Sequence, residues 1–158
     1  MTRQDLQSLY RFNQFVLGKN LDGLTHADGL VQATPGGSSI YWLLGHILTT
    51  RNGMLRLFGE APLWSDEEGA PFARGSRPVD PQKVPMPFDR LLADLHRSDD
   101  LIRVAIDGIR DEALAAPLGH GKEGTVGDQL VGFHYHEGYH AGQIGLLRRI
   151  AGRPAGIP

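Results

Sequence analysis

Residues 126–151, VGDQLVGFHYHEGYHAGQIGLLRRIA, decide how the rest of the chain is read. Val126, Leu130, Phe133, Ile144 and Leu147 fall along one side of a 3.6-residue repeat, which predicts one long helix. Gly152 and Pro154 stop it, and Thr125 with Asp128 resembles a capping box with Asp in the acidic place. His136 and His140 are four residues apart, so they stack one turn above the other on the same face. The row running from Phe133 through both histidines to Ile144 or Leu147 carries the two rings into the apolar stripe. A buried imidazole has a donor and an acceptor to satisfy. One cation at roughly 2.0–2.1 Å from a nitrogen of each ring would satisfy the pair. The alternative is a pair of ordinary core histidines.

The five residues from His136 also spell H-E-x-x-H, the zinc-protease pattern. No His, Asp or Glu follows His140, so a third ligand has to come from upstream. His46, within WLLGHIL and one turn after Trp42, is the best donor, although a satisfied core histidine is the alternative there. Three neutral imidazoles would leave a further coordination position open to water or substrate. The other histidines sort differently. His134 sits about 200° around the helix from His136 and is expected as a surface or second-contact residue. His26 and His120 fall in loops, and His96 lies in the charged run LHRSDD.

Three more segments have helical spacing. Residues 3–21 carry Leu6, Leu9, Tyr10, Phe12, Asn13, Val16 and Leu17 at three- and four-residue steps. A second helix starts near Ser38 or Ser39, either able to cap it, and runs to Gly59 with Ile40, Leu43, Leu44, Ile47, Leu48, Met54 and Leu55 inward. A third runs from Pro87 or Phe88 to Gly108 with Leu91, Leu92, Leu95, Leu101, Ile102, Ala105 and Ile106 inward, and a short turn of helix is expected at residues 111–116. Residues 60–86 hold five prolines and no sustained period, which predicts a long surface excursion, either functional or a tolerated insertion. No repeat or linker interrupts residues 1–158, so a single all-α domain, a four-helix bundle, is expected.

Composition narrows the function. With 41% apolar and 22% charged residues the chain is globular rather than disordered. A net charge of -2 argues against nucleic-acid backbones and anionic lipid as partners. The absence of cysteine removes disulfides, thiolate metal sites and thiol nucleophiles, leaving His, Asp and Glu to build any metal site. Neither a signal peptide nor the roughly 20 apolar residues of a membrane span is evident, so a cytoplasmic location is expected.

The segments WLLGHILTTRNGMLRLFG (residues 42–59) and DQLVGFHYHEGYHAGQIGLLRRIAG (128–152), with the trailing Gly152-Arg153-Pro154, resemble the DinB-like (DinB/YfiT-type) superfamily. The resemblance implies a four-helix bundle with one long crossover, usually a homodimer, that binds one divalent metal, often zinc or nickel, through His46, His136 and His140. Ala141 stands where the family commonly has Arg, whereas Gln143 is retained and its amide could orient a ligand ring or a bound water. Related families include thiol-dependent S-transferases and isomerases that use low-molecular-weight thiols. In such a mechanism Glu137, Tyr139 and Tyr41 are candidate catalytic residues, for proton handling or substrate orientation, against a structural role for each, since neighbours of a ligand on a helix need not face it. Gln143 and Trp42 are candidate cofactor contacts, with core packing the alternative for Trp42. The implied function is a metal-dependent thiol transferase acting on a small molecule. The alternatives are a metal-dependent hydrolase and a non-catalytic, stress-associated metal-binding protein.

Overall fold

Each long helix begins where a side chain or a proline can close its first turn. The computed structural model describes residues 1–119, 121 and 123–157. Thr2 and Asp5 form a capping box at the start of α1 (Arg3–Leu21), and Thr25 and Asp28 do the same for the single turn α2 (His26–Gly29). Ser39 accepts the Trp42 N–H at the start of α3 (Ile40–Leu57). The single turn α4 (Asp66–Gly69) and a 3-10 turn at Ala70–Phe72 lie in the crossover that follows. Pro87 precedes α5 (Phe88–Gly108), and the single turn α6 (Asp111–Leu114) leads to α7 (Val126–Ile150), opened by the expected Thr125–Asp128 box. The fold is all-helical: the described residues contain no strand, only isolated bridges at Gln32–Ser39 and Pro117–Thr125.

The four long helices form a square in which α1 and α3 each pack against α5 and α7. Side-chain bonds fix their directions. From α1, Tyr10 donates to the Leu130 carbonyl, Asn13 to that of His134 and Asn20 to that of Ala141, so α1 and α7 run parallel. Tyr41 stacks near Phe88 while Arg51 reaches Leu95 and Ser98, so α3 and α5 are parallel as well. Gln7 meets Asp107 and Gln14 meets Asp99, which makes α1 and α5 antiparallel. The order is up-down-down-up. A parallel neighbour pair requires a connection as long as the helix itself, and residues 58–87 supply it.

That crossover is packed onto the bundle. Trp64, Phe72 and Met86 are buried. Asn52 Oδ1 accepts from the Leu63 and Trp64 amides, and the Trp64 indole donates to Asp94 at 2.7 Å.

The core divides into two apolar clusters. One gathers Leu17, Leu21, Ile40, Leu44, Ile47, Phe72, Phe88, Leu91, Leu95 and Ile144. The other gathers Leu6, Tyr10, Met54, Leu55, Ile102, Ile106 and Leu130. Between them each helix contributes a buried polar side chain: Asn13, Arg51, Ser98 and Glu137. Arg51 is the hub. Its Nε and Nη2 donate to Glu137 Oε2 and Oε1 at 2.7 and 2.9 Å, and its Nη1 donates to Asp99 Oδ1 and Ser98 Oγ, both at 2.6 Å. Two residues expected inside are exposed, Phe12 at 64% and Leu101 at 37%. Phe12 lies one residue, about 100°, off the true α1 stripe of Leu6, Tyr10, Asn13 and Leu17.

Candidate metal centre

α3 and α7 lie side by side in antiparallel directions, which brings His46 against the His136–His140 pair. His46 and His140 are buried and His136 is half-buried. His46 Nε2 lies 3.1 Å from His136 Nε2, which lies 3.2 Å from His140 Nε2. One potential ligand atom from each of the three falls within 4.8 Å of the others. Four ligands about 2.05 Å from a tetrahedral ion would stand about 3.3 Å apart, close to the two spacings from His136. The histidine from upstream is the one the sequence indicated.

Hydrogen bonds at the far sides of the rings select the tautomers. His46 Nδ1–H donates to the Phe72 carbonyl at 2.7 Å, and His140 Nδ1–H donates to Gln143 Oε1 at 2.6 Å. Each ring therefore turns an Nε2 lone pair toward His136 Nε2. A proton on His136 Nε2 could serve one of those lone pairs well, but not both, and the buried His136 Nδ1 has no partner among the described residues. Three imidazole nitrogens converging on one point with no proton arrangement that satisfies them all fit a cation. The residues are positioned to hold one metal ion.

Burial disfavours protonation here. The His136 imidazole is held down to about 4, first by burial and then by the neighbouring His140 and His46 rings. His140 is lowered by burial too, against the opposing effect of its bond to Gln143. Neutral rings are the ligating form.

The other candidates are placed as follows. Trp42 lies flat on His46, with ring centroids 4.8 Å apart and planes 12° from parallel, and its indole N–H donates to Ser76 Oγ at 2.9 Å. Tyr139 is 57% exposed and meets His140 edge-on at 5.2 Å. Glu137 does not turn to the cluster, because both its oxygens are taken by Arg51 one helix face away. Tyr41 is fully buried, donating to the Met86 carbonyl at 2.6 Å and accepting from the Met86 amide at 3.1 Å. Its hydroxyl is thus engaged by the crossover. Ala141 is buried in the core on the side of α7 that meets Asn20.

His134 is turned away from the cluster as expected, but toward α1 rather than into solvent, half-buried and edge-on to Tyr10 at 5.9 Å. His96 is exposed, and His26 is exposed beside Tyr41 and Phe88. The loop residue His120 lies outside the described residues.

Sequence reasoning missed Phe72 and Gly45. Phe72 sits in a Pro-rich stretch without periodicity, and nothing local marks a main-chain carbonyl as a ring acceptor. Gly45 was legible only as a glycine inside a strongly apolar helix, a pattern that signals close approach. A Cβ at Gly45 would overlap the Phe72 ring.

No curated protein matches the chain. Residues 11–144, most of the bundle and all three histidines, match the DinB superfamily, and the chain belongs to that superfamily.

Proposed function

We propose that the protein binds one divalent transition metal, zinc or nickel as the family resemblance implies among the metals that suit three imidazoles, and uses it as a thiol-dependent transferase on a small electrophilic substrate. The observation that carries the metal reading is the convergence of three Nε2 atoms, two of them fixed as lone-pair donors by Phe72 and Gln143. A divalent ion held there would lower the pKa of a thiol or water placed at its open position.

The transferase reading is favoured over the hydrolytic one by what surrounds the rings. No carboxylate joins the cluster among the described residues, and Glu137 is committed to Arg51. Without a base at hand, a thiol, ordinarily ionising at about 8.5, is turned into its anion by a metal more readily than water at about 15.7. Tyr139, exposed at the rim beside His140, is the side chain left to orient or protonate a substrate, and Trp42 offers an apolar wall against His46.

Elemental analysis of protein purified without a His tag is expected to show one metal per chain, lost in the His46→Ala and His140→Ala variants while helical content is kept. Metal-dependent conjugation of a small thiol to a generic electrophile is then the test of catalysis. Stoichiometric metal without turnover would leave the non-catalytic, stress-associated reading.

A homodimer and a cytoplasmic location belong to the same proposal. No helix among the described residues is long and apolar enough to cross a membrane. Phe12 and Phe15 on α1 with Val131 and Tyr135 on α7 expose apolar surface on two adjacent parallel helices, which supports a second copy as the occupant. Sedimentation of wild type against a Phe12→Asp, Tyr135→Asp double variant tests it.

A further inference from the structure

We infer that the crossover is a metal-linked strap in which Phe72, seated on Gly45, is the positioning residue for His46, so that metal binding and docking of residues 70–77 stabilise each other. The inference rests on the metal reading above.

The three ligands are supported unequally. His140 is held by Gln143 of its own helix, and His136 has no partner at Nδ1 among the described residues. His46 alone depends on a distant segment, and that segment reaches it twice. The Phe72 carbonyl takes its Nδ1–H, and Ser76 Oγ takes the indole N–H of Trp42, whose ring lies flat on the imidazole. The Phe72 ring is the anchor of this contact. It fills the space left by the missing side chain of Gly45 and packs against Tyr41 and Trp64, each with centroids 5.7 Å away. With the strap seated, His46 is fixed in one tautomer with Nε2 toward the other rings. With the strap lifted, both the tautomer and the ring orientation are free, and a metal would have to select them again. Coupling of this kind is reciprocal, so whatever the strap adds to metal affinity, the metal adds to strap docking.

Trypsin reads the strap directly. Arg74 is exposed and forms no ion pair among the described residues, and the Arg74–Gly75 bond lies inside the segment. Arg77 precedes Pro78 and its bond resists the enzyme. Productive cleavage requires the strap to leave its seat, so the rate follows the population of the lifted form. With the full chain stripped by chelator and then given Zn2+ alone, cleavage at Arg74–Gly75 is expected to slow roughly tenfold or more, and not to slow in His140→Ala. Gly45→Ala and Phe72→Ala are expected to bind Zn2+ roughly 10–100-fold more weakly, the range typical of a lost outer partner, with Phe72→Leu restoring most of the loss. Alanine is the better helix former, so weaker binding in Gly45→Ala reports the displaced ring rather than a damaged helix. Stoichiometric Zn2+ binding with an unchanged cleavage rate would overturn the inference, as would a folded Gly45→Ala with wild-type affinity. Should either variant fail to fold by circular dichroism, the wild-type arm decides alone. A wild-type chain that binds no Zn2+ would instead overturn the metal reading itself.

Discussion

Gln143 and His136 show how differently two residues one helical turn or two apart can be constrained. Gln143 accepts the His140 Nδ1–H at 2.6 Å, raising the basicity of the ring and aiming its Nε2. Gln143→Ala is expected to weaken metal binding roughly 10–100-fold without loss of helix, and Gln143→Glu to restore or strengthen it, since a carboxylate makes the same bond with charge assistance. Competition with a chromophoric chelator measures both. His136 contributes to the pH dependence, in the same sense as His140 and His134, which burial also lowers. Its folded-state pKa of about 4 lies below the ordinary 6.5, so between those values the unfolded chain binds more protons than the metal-free folded one. Stability of the metal-free protein therefore falls as pH drops through that window. Asp99, raised first by burial, acts in the opposite sense as pH rises above its ordinary 3.8. The urea midpoint of stripped protein at pH 7 against pH 4.5 is expected to drop, and to drop less in His136→Gln, where the difference isolates this ring. Two of the three ligands were legible from four-residue spacing alone. Gln143 was legible only through resemblance, and Phe72 not at all, because its contribution is a backbone carbonyl.

Four helices share a polar layer that their sequences announce, each through a polar residue set in its apolar stripe. The buried stripe of α3 steps through Leu44, Ile47, Leu48, Arg51, Met54 and Leu55; that of α5 steps through Leu91, Leu95, Ser98, Ile102 and Ile106. Asn13 and Glu137 interrupt α1 and α7 in the same way. A polar residue in phase with an apolar stripe is a buried polar residue, and buried polar residues need partners. Read along one helix the signal is ambiguous. Read across four it places the partners at one height, information that requires the topology. The number and ends of the long helices follow from capping residues and periodicity, so they were legible to within two residues, whereas the single turns α2 and α4, read as loop, were too short to show a period. The parallel pairing of α3 with α5 was not legible, being set by the crossover. The layer also explains Glu137. It sits in H-E-x-x-H by sequence, but its helix face belongs to Arg51. Burial alone would lower the Arg51 pKa, and the two carboxylates outweigh it and hold the guanidinium charged. Arg51→Met strips the partner from a buried carboxylate and is expected to cost about 3–5 kcal/mol. Adding Glu137→Leu removes the orphaned charge and is expected to recover much of that loss. Urea unfolding of the single and double variants measures the difference.

The α3–α7 edge of the square has no direct chain connection, and the middle of its apolar seam is interrupted by polar groups. Connections join α1 to α3, α3 to α5 and α5 to α7, whereas α3 and α7 meet at mid-helix through polar groups set between apolar ones: the Arg51–Glu137 pair and, one turn on, the three histidines. A metal at His46, His136 and His140 would therefore staple an edge that no loop ties. It binds only the folded arrangement, because the unfolded chain separates His46 from the pair by 90 residues. Free metal at 100 times its dissociation constant then adds about 2.7 kcal/mol. For a chain of this length each kcal/mol moves the midpoint by roughly 2–4 °C, so saturation is expected to raise Tm by about 5–10 °C. Chelator should reverse the rise completely, and His46→Ala should show none. The distribution of the gain is equally testable: hydrogen exchange should slow at the facing turns of α3 and α7 and in the crossover, with α1 and α5 little changed. A rise in Tm with protection spread evenly over all four helices would mean that the ion acts on the bundle as a whole rather than at this edge.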